Sequence, residues 1–147
     1  MKKIVVLAVS AVIAMSGAAM ASGSANVTVN AVVFGTCTIV GGRAAFPNLD
    51  PAAPSDQLAV VTQPTVTCSN GTPYAITDDD GANETGANAN RMASGGNFIQ
   101  YAFTYTAGGS GTGVAANMDV AVSVLGANYA GATPGIYNDT VVLTVTP

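Results

Sequence analysis

Four acidic side chains lie close together in a glycine- and asparagine-rich stretch, at Asp78, Asp79, Asp80 and Glu84. Carboxylates could act as general acid and base on a glycoside, or supply oxygen ligands to a calcium ion. Neighbouring positions in one loop do not give the opposed pair that a glycosidase needs. Asn83 also stands where an EF-hand loop has its turn glycine. We therefore expect a solvated acidic loop over residues 78–84, with no metal and no cofactor.

Residues 1–21 have the layout of a secretory signal peptide. Lys2 and Lys3 give it a positive start, an apolar stretch follows, and Ala-Met-Ala ends it with the small-x-small pattern of a cleavage site. No later stretch approaches the roughly 18 consecutive apolar residues of a membrane-spanning helix. The sequence predicts a secreted product without a membrane span, from which this leader is removed.

Two further features of the composition bear on the disulfide state and on catalysis. Cys37 and Cys68 are the only cysteines, and an oxidising compartment favours a disulfide between them. The chain has no histidine, and its only lysines lie in the leader. Ser–His and Cys–His arrangements and the common general base are therefore missing, and we predict that the protein is not an enzyme.

Charge excludes one class of partner. Beyond the leader the only cations are Arg43 and Arg91, against eight acidic residues. Phosphate binding depends on clustered lysine and arginine, so we predict no nucleic-acid partner.

The segment that follows the leader, residues 22–33, alternates small apolar and polar side chains. Its apolar positions, which would share one face of a strand, are Ala25, Val27, Val29, Ala31 and Val33. A period of two is typical of an extended strand with one apolar face. The pattern predicts a strand from Val27 to Val40, interrupted near Phe34-Gly35.

The rest of the chain also favours strands, because no apolar 3.6-residue period persists over three turns. A long loop is expected from Asp78 to Gly96. The alternating segments are Leu58–Cys68 with a break near Pro64, Tyr74–Thr77, Phe98–Thr106, Met118–Leu125 and Tyr137–Thr146. In the last segment one face carries Tyr137, Val141, Leu143 and Val145. Six or seven short strands predict a single-domain Greek-key β-sandwich of immunoglobulin-like size.

Several short motifs extend across residues 22–147. They are Gly35-Thr-Cys37-Thr, the segment from Cys68 to Ile76, the pair Arg91-Met92, Tyr101, and the ending Gly135-Ile-Tyr137-Asn-Asp139 with its alternating terminal strand. With these motifs the chain resembles the spore coat protein U domain family, which includes subunits of archaic (Csu-type) chaperone–usher pili. Phe46-Pro47 departs from the Phe-Gly usual in that family.

The resemblance implies an all-β, incomplete immunoglobulin-like sandwich over residues 34–147, completed by a donor strand from another subunit. Residues 22–33 would be the donor strand, and Tyr137, Val141, Leu143 and Val145 the edge of the acceptor groove. It further implies a structural subunit of an extracellular pilus, with a role in adhesion and biofilm formation. A single domain with a donor at its N-terminus suits a major or shaft subunit. Its partners would be a periplasmic chaperone, an outer-membrane usher and neighbouring copies of itself.

Chain length supports an intermolecular donor. Only three residues separate Val33 from Cys37, and three extended residues reach about 10 Å, too short to cross a sandwich to its terminal strand. Two alternatives remain open from the residues alone. One is a self-completed coat or matrix protein of the same fold, and the other is a secreted carbohydrate- or calcium-binding module.

Overall fold

The structure is a computed structural model that describes residues 22–147, so the predicted signal peptide lies outside the described residues. The chain divides into two units, Met1–Val32 and Val33–Pro147. Within the described part of the first unit, residues 22–32 are exposed and form neither helix nor strand. The predicted strand from Val27 to Val40 is formed only from Cys37 onward, because an extended segment is stabilised as a strand only by a ladder partner.

The second unit is built almost entirely of short strands. Those in residues 33–147 are β1 (Cys37–Val40), β2 (Arg43–Ala45), β3 (Gln57–Leu58), β4 (Val60–Thr62), β5 (Thr65–Cys68), β6 (Pro73–Asp78), β7 (Arg91–Ser94), β8 (Asn97–Gln100), β9 (Ala102–Thr104), β10 (Gly108–Ser110), β11 (Ala116–Asn117), β12 (Ala121–Val124) and β13 (Leu143–Thr146). A single helical turn, α1 (Gly126–Tyr129), follows β12. Across residues 22–147, no helix is long and apolar enough to cross a membrane.

These strands form five small sheets of two or three strands each, which make up the two layers of the sandwich. In the first layer, β3 pairs with β12, β4 pairs with β2, and β5 pairs with β1. β9 lies on the other side of β12, and β11 lies on the other side of β5. In the second, β6 lies between β10 and β13, and the β7–β8 hairpin joins the chain ahead of β13 through a bridge between Ala93 and Asn138. The arrangement confirms the predicted all-β, immunoglobulin-like class.

One core lies between the layers. The alternating segment predicted from Met118 to Leu125 supplies its centre, and Met118, Val120, Val122 and Val124 are all buried. Tyr129 is buried beside them, and its hydroxyl donates to the carbonyl oxygen of Ser55 at 2.6 Å. The predicted one-sided burial is confirmed, and the polar end of the buried ring is satisfied.

Residues 78–106 differ from the predicted pattern. The expected loop contains β7, which turns into β8 through Gly95 at φ 59°. The expected strand from Phe98 to Thr106 divides at Tyr101, because β8 pairs with β7 whereas β9 pairs with β12. The Tyr101 N–H donates instead to the carbonyl of Asn90, at 3.1 Å. Alternation continues through the division, so the period of two gave no sign of the change in partner.

The disulfide joins the first two long-range partners of the sheet. Cys37 and Cys68 stand directly opposite each other in the β1–β5 pair, with their Cα atoms 4.1 Å apart, and are bonded. The predicted disulfide is confirmed. It ties the start of the sandwich to its core, where Cys68 is buried.

Removing this bond by the paired change Cys37→Ala and Cys68→Ala is expected to lower the free energy of unfolding by about 3–4 kcal/mol. The open loop gains conformational entropy in the unfolded state. Chemical denaturation of the oxidised protein and the double variant measures the difference, and wild type in reductant serves as the control. Equal denaturation midpoints for oxidised wild type and variant would contradict the expectation.

Candidate functional site

A groove of about 1010 Å³ opens along the second unit. One rim follows residues 39–49, through β1, β2 and the chain beyond them, and the other follows residues 132–143. The floor is formed by core side chains, which include Met92, Ile99, Phe103, Val120 and Val122. The groove therefore gives access from outside to the hydrophobic interior between the two layers.

Each rim carries a sheet edge. β13 ends its sheet, and β1 and β2 end theirs on the opposite rim. β1 approaches β13, but no hydrogen-bonded ladder joins them. Strands at a sheet edge leave a row of backbone N–H and C=O groups unpaired. The groove thus combines an apolar floor with backbone edges that can form hydrogen bonds, which is the chemistry that accepts an added strand.

The four residues predicted at the groove edge lie along one face of the terminal segment. Tyr137, Val141 and Leu143 line the groove, whereas Val145 is absent from its lining. All four are half-buried and pack against the core. Between them Val142 points outward and is 54% exposed. The terminal segment therefore has the one-sided apolar face that its alternation predicts.

The opposite rim was missed at the sequence level. Ile39, Phe46 and Leu49 line it, and each is half-buried against the core. Ile39 lies between two polar or exposed neighbours in β1, so alternation did carry a signal there. Phe46 and Leu49 lie in an irregular, proline-containing stretch, where no periodicity marks the side that faces inward.

The predicted donor residues are exposed. In the first unit Val27 is 85% and Val29 is 86% exposed, and at the start of the second unit Val33 is 91% exposed. Ala25 and Ala31 are exposed as well. Fully burying a valine side chain contributes about 1.5–2 kcal/mol. Burial of this ladder of apolar side chains against another surface would therefore be strongly favourable.

Two carboxylates of the acidic loop, those of Asp79 and Glu84, are exposed as predicted, but Asp79 also bonds the groove rim. The Asp79 Oδ1 atom accepts the N–H of Val142 at 2.9 Å and the N–H of Gly81 at 3.0 Å. Val142 is 63 positions away in the sequence. The local bond, from a carboxylate to the N–H two residues on, is an Asx turn that the Asp-x-Gly pattern could have indicated.

The neighbouring carboxylates are engaged too. Asp78 accepts the hydroxyl of Tyr105 at 2.9 Å, and Asp80 accepts the N–H of Asn88 at 2.7 Å. Glu84 is exposed. Within residues 22–147, no group of three or more potential metal-ligating side chains is arranged to hold an ion. The three aspartates of this loop therefore act as hydrogen-bond acceptors.

A polar contact lies beneath the groove rim at Asp139. Its Oδ2 accepts the Tyr101 hydroxyl at 2.7 Å, and its Oδ1 accepts the Asn83 amide at 3.0 Å. Burial, and next the bond to Asp139, raise the pKa of Tyr101 far above its usual value, so the hydroxyl stays a donor. A Cβ atom on Gly81 would clash with the Asp139 carboxylate, so the loop can approach Asp139 this closely only with glycine at position 81.

A family profile described as the Spore Coat Protein U domain matches residues 23–144. A search of curated proteins finds no match to the chain. A similar solved structure is the chaperone–tip adhesion subunit pre-assembly complex from the archaic chaperone–usher Csu pili of Acinetobacter baumannii, with 20% identity and a TM-score of 0.49. The similarity covers 77% of this chain and 40% of that one.

The bonds at Asp79 predict that stability depends on pH. The N–H groups of Val142 and then Gly81 hold the pKa of Asp79 below its ordinary value of 3.8. A lowered pKa in the folded state means that this contribution to stability is complete above the unfolded pKa and is lost as the pH falls through the folded one. The stability advantage of wild type over Asp79→Asn should therefore shrink from about pH 5 towards about pH 2. Chemical denaturation across that range measures it, and a constant difference would be the contrary result.

Proposed function

The chain belongs to the Spore Coat Protein U domain family, and on that basis we propose that it is a structural subunit of an extracellular pilus. Assembly takes place by the chaperone–usher pathway through donor-strand exchange. Residues 22–33 of one copy enter the groove of the next copy and complete its sandwich. The observation that carries the proposal is the presence, in one chain, of an exposed apolar ladder and an open apolar groove with a free strand edge.

The energetics of strand addition fit these two surfaces. Val27, Val29 and Val33 would each contribute about 1.5–2 kcal/mol on burial against the groove floor. Each backbone hydrogen bond to the rim would add a net ~1 kcal/mol. The hydrogen bonds provide affinity, and the alternate small side chains provide the fit to the floor.

The open apolar groove also explains why the subunit would need partner proteins on its way through the periplasm. A contiguous apolar surface of this kind promotes aggregation unless something covers it. We assign that role in the periplasm to a chaperone, which delivers the subunit to an outer-membrane usher. The ladder of a neighbouring copy then replaces the chaperone on the way to the cell surface.

A shaft position follows from having both surfaces in one chain. Each copy gives a strand to one neighbour and accepts a strand from another, a head-to-tail contact that repeats without closing and so generates a filament. Interior positions of a filament need both surfaces. Adhesion and biofilm formation are the proposed roles of such a filament.

Substituting Val29→Asp should abolish filaments and leave a folded, chaperone-bound monomer, because the charge would be buried in the groove of the neighbour at a cost of several kcal/mol. Negatively stained cells viewed by electron microscopy give the measurement. Asn30→Asp is the matched control, since it places the same charge on the polar face of the ladder and should keep the filaments. If Val29→Asp cells still form fibres, the donor-strand proposal fails and a self-completed coat protein becomes the better account.

A further inference from the structure

Residues 138–142 lead into β13 and belong to no strand, yet the backbone of each even-numbered residue among them makes at least one hydrogen bond. The N–H of Asn138 donates to the carbonyl of Ala93 at 3.0 Å, and the N–H of Ala93 donates to the carbonyl of Asn138 at 2.8 Å. The carbonyl of Thr140 accepts the N–H of Ala82 at 3.1 Å. The N–H of Val142 donates to Asp79 Oδ1 at 2.9 Å. The even-numbered residues therefore all bond away from the groove, towards the acidic loop and the β7–β8 hairpin.

The same alternation continues into β13. Val145 stands opposite Ile76 in the β13–β6 pair, but the N–H of Ile76 donates to the carbonyl of Ala107 on the far side of β6, at 2.8 Å. Ile76 and Val145 are therefore a pair without mutual hydrogen bonds, and the bonded pair beside them is Thr144 with Thr77. In β13, too, the even-numbered residues bond to the sheet.

We infer that the edge offered to an incoming strand consists of the N–H and C=O groups of four odd-numbered residues, namely Asp139, Val141, Leu143 and Val145. We infer also that Asp79 is a positioning residue, which takes the place of a ladder partner and holds residues 138–142 extended before a strand arrives. Both statements rest on the proposed function, because they specify how the groove accepts its strand.

The contacts around residues 138–142 support the positioning role of Asp79. β6 ends at Asp78, which stands opposite Leu143, so β6 offers no backbone partner to the N–H of Val142. The Asp79 carboxylate supplies the acceptor there, and Asn83 bonds the side chain of Asp139 from the same loop. Neither Asp79 nor Asn83 lines the groove, so both act from behind the rim. A segment already held extended loses less conformational entropy when it binds.

Amide hydrogen exchange on residues 22–147 tests the first statement. The Val29→Asp chain is used, since it keeps the groove and cannot donate its own strand. Before any addition, the amides of Asn138 and Val142 should exchange slowly and the four odd-numbered amides rapidly. A synthetic peptide of residues 22–33 should then slow exchange at those four amides by at least about tenfold. Slow exchange there without peptide, or new protection at even-numbered positions instead, would overturn the assignment.

Peptide affinity tests the second statement. Asp79→Ala should weaken binding about tenfold, which corresponds to about 1.4 kcal/mol. Asp79→Asn, which keeps an acceptor oxygen, should weaken it less. Asp56→Ala is the matched control. Asp56 also accepts a backbone N–H, that of Gly126 at 2.9 Å, but it does not line the groove. The Asp56→Ala chain should bind the peptide as tightly as the parent chain does.

The outcomes separate the two levels of the proposal. Equal affinities for Asp79→Ala and Asp56→Ala would overturn the positioning role and leave donor-strand exchange intact. If Asp79→Ala does not fold, Asp79→Asn and the exchange pattern of the parent chain decide the matter. Failure of the parent chain to bind the peptide at all would overturn the proposed function and this inference with it.

Discussion

A strand at the edge of a sheet has a row of backbone groups on its open side that only water or another strand can satisfy, and this constraint governs the second unit. β13 is paired on one side with β6 and ends its sheet on the other. The side chains that alternate inward from it reach the core but stay half-buried, because the layer stops there. The groove, its apolar floor and its free rim all result from this one open sheet edge.

Sequence patterns foretold the features that depend on neighbouring residues. Alternation located the buried face of residues 118–124 and the inward face of the terminal segment, and the even number of cysteines in an exported chain indicated the disulfide. These signals are local or compositional. They reflect the two-residue period of a strand and the redox state of a compartment, neither of which requires knowledge of distant contacts.

Features set by long-range partners were hidden from such patterns. The division at Tyr101 depends on which strands β8 and β9 meet, and alternation continues unchanged across it. The bond from Asp79 to Val142 spans 63 positions, and a run of aspartates gives no indication that one of them will complete the edge of a distant segment. Acidic residues in a glycine-rich stretch usually signal solvation, and here Asp79 and Asp80 accept backbone N–H groups as well, Asp79 while it stays exposed.

The position of the disulfide has a mechanical consequence in a filament of the proposed kind. Tension along the fibre would pass from a bound residue 22–33 segment through three residues into Cys37, the first residue of β1. At that point the load meets a covalent bond to Cys68, so β1 cannot be peeled from β5 one hydrogen bond at a time. A strand lying along the rim is loaded in shear, with its hydrogen bonds sharing the force. Pulling would therefore extend the linking segments first and spare the sandwich.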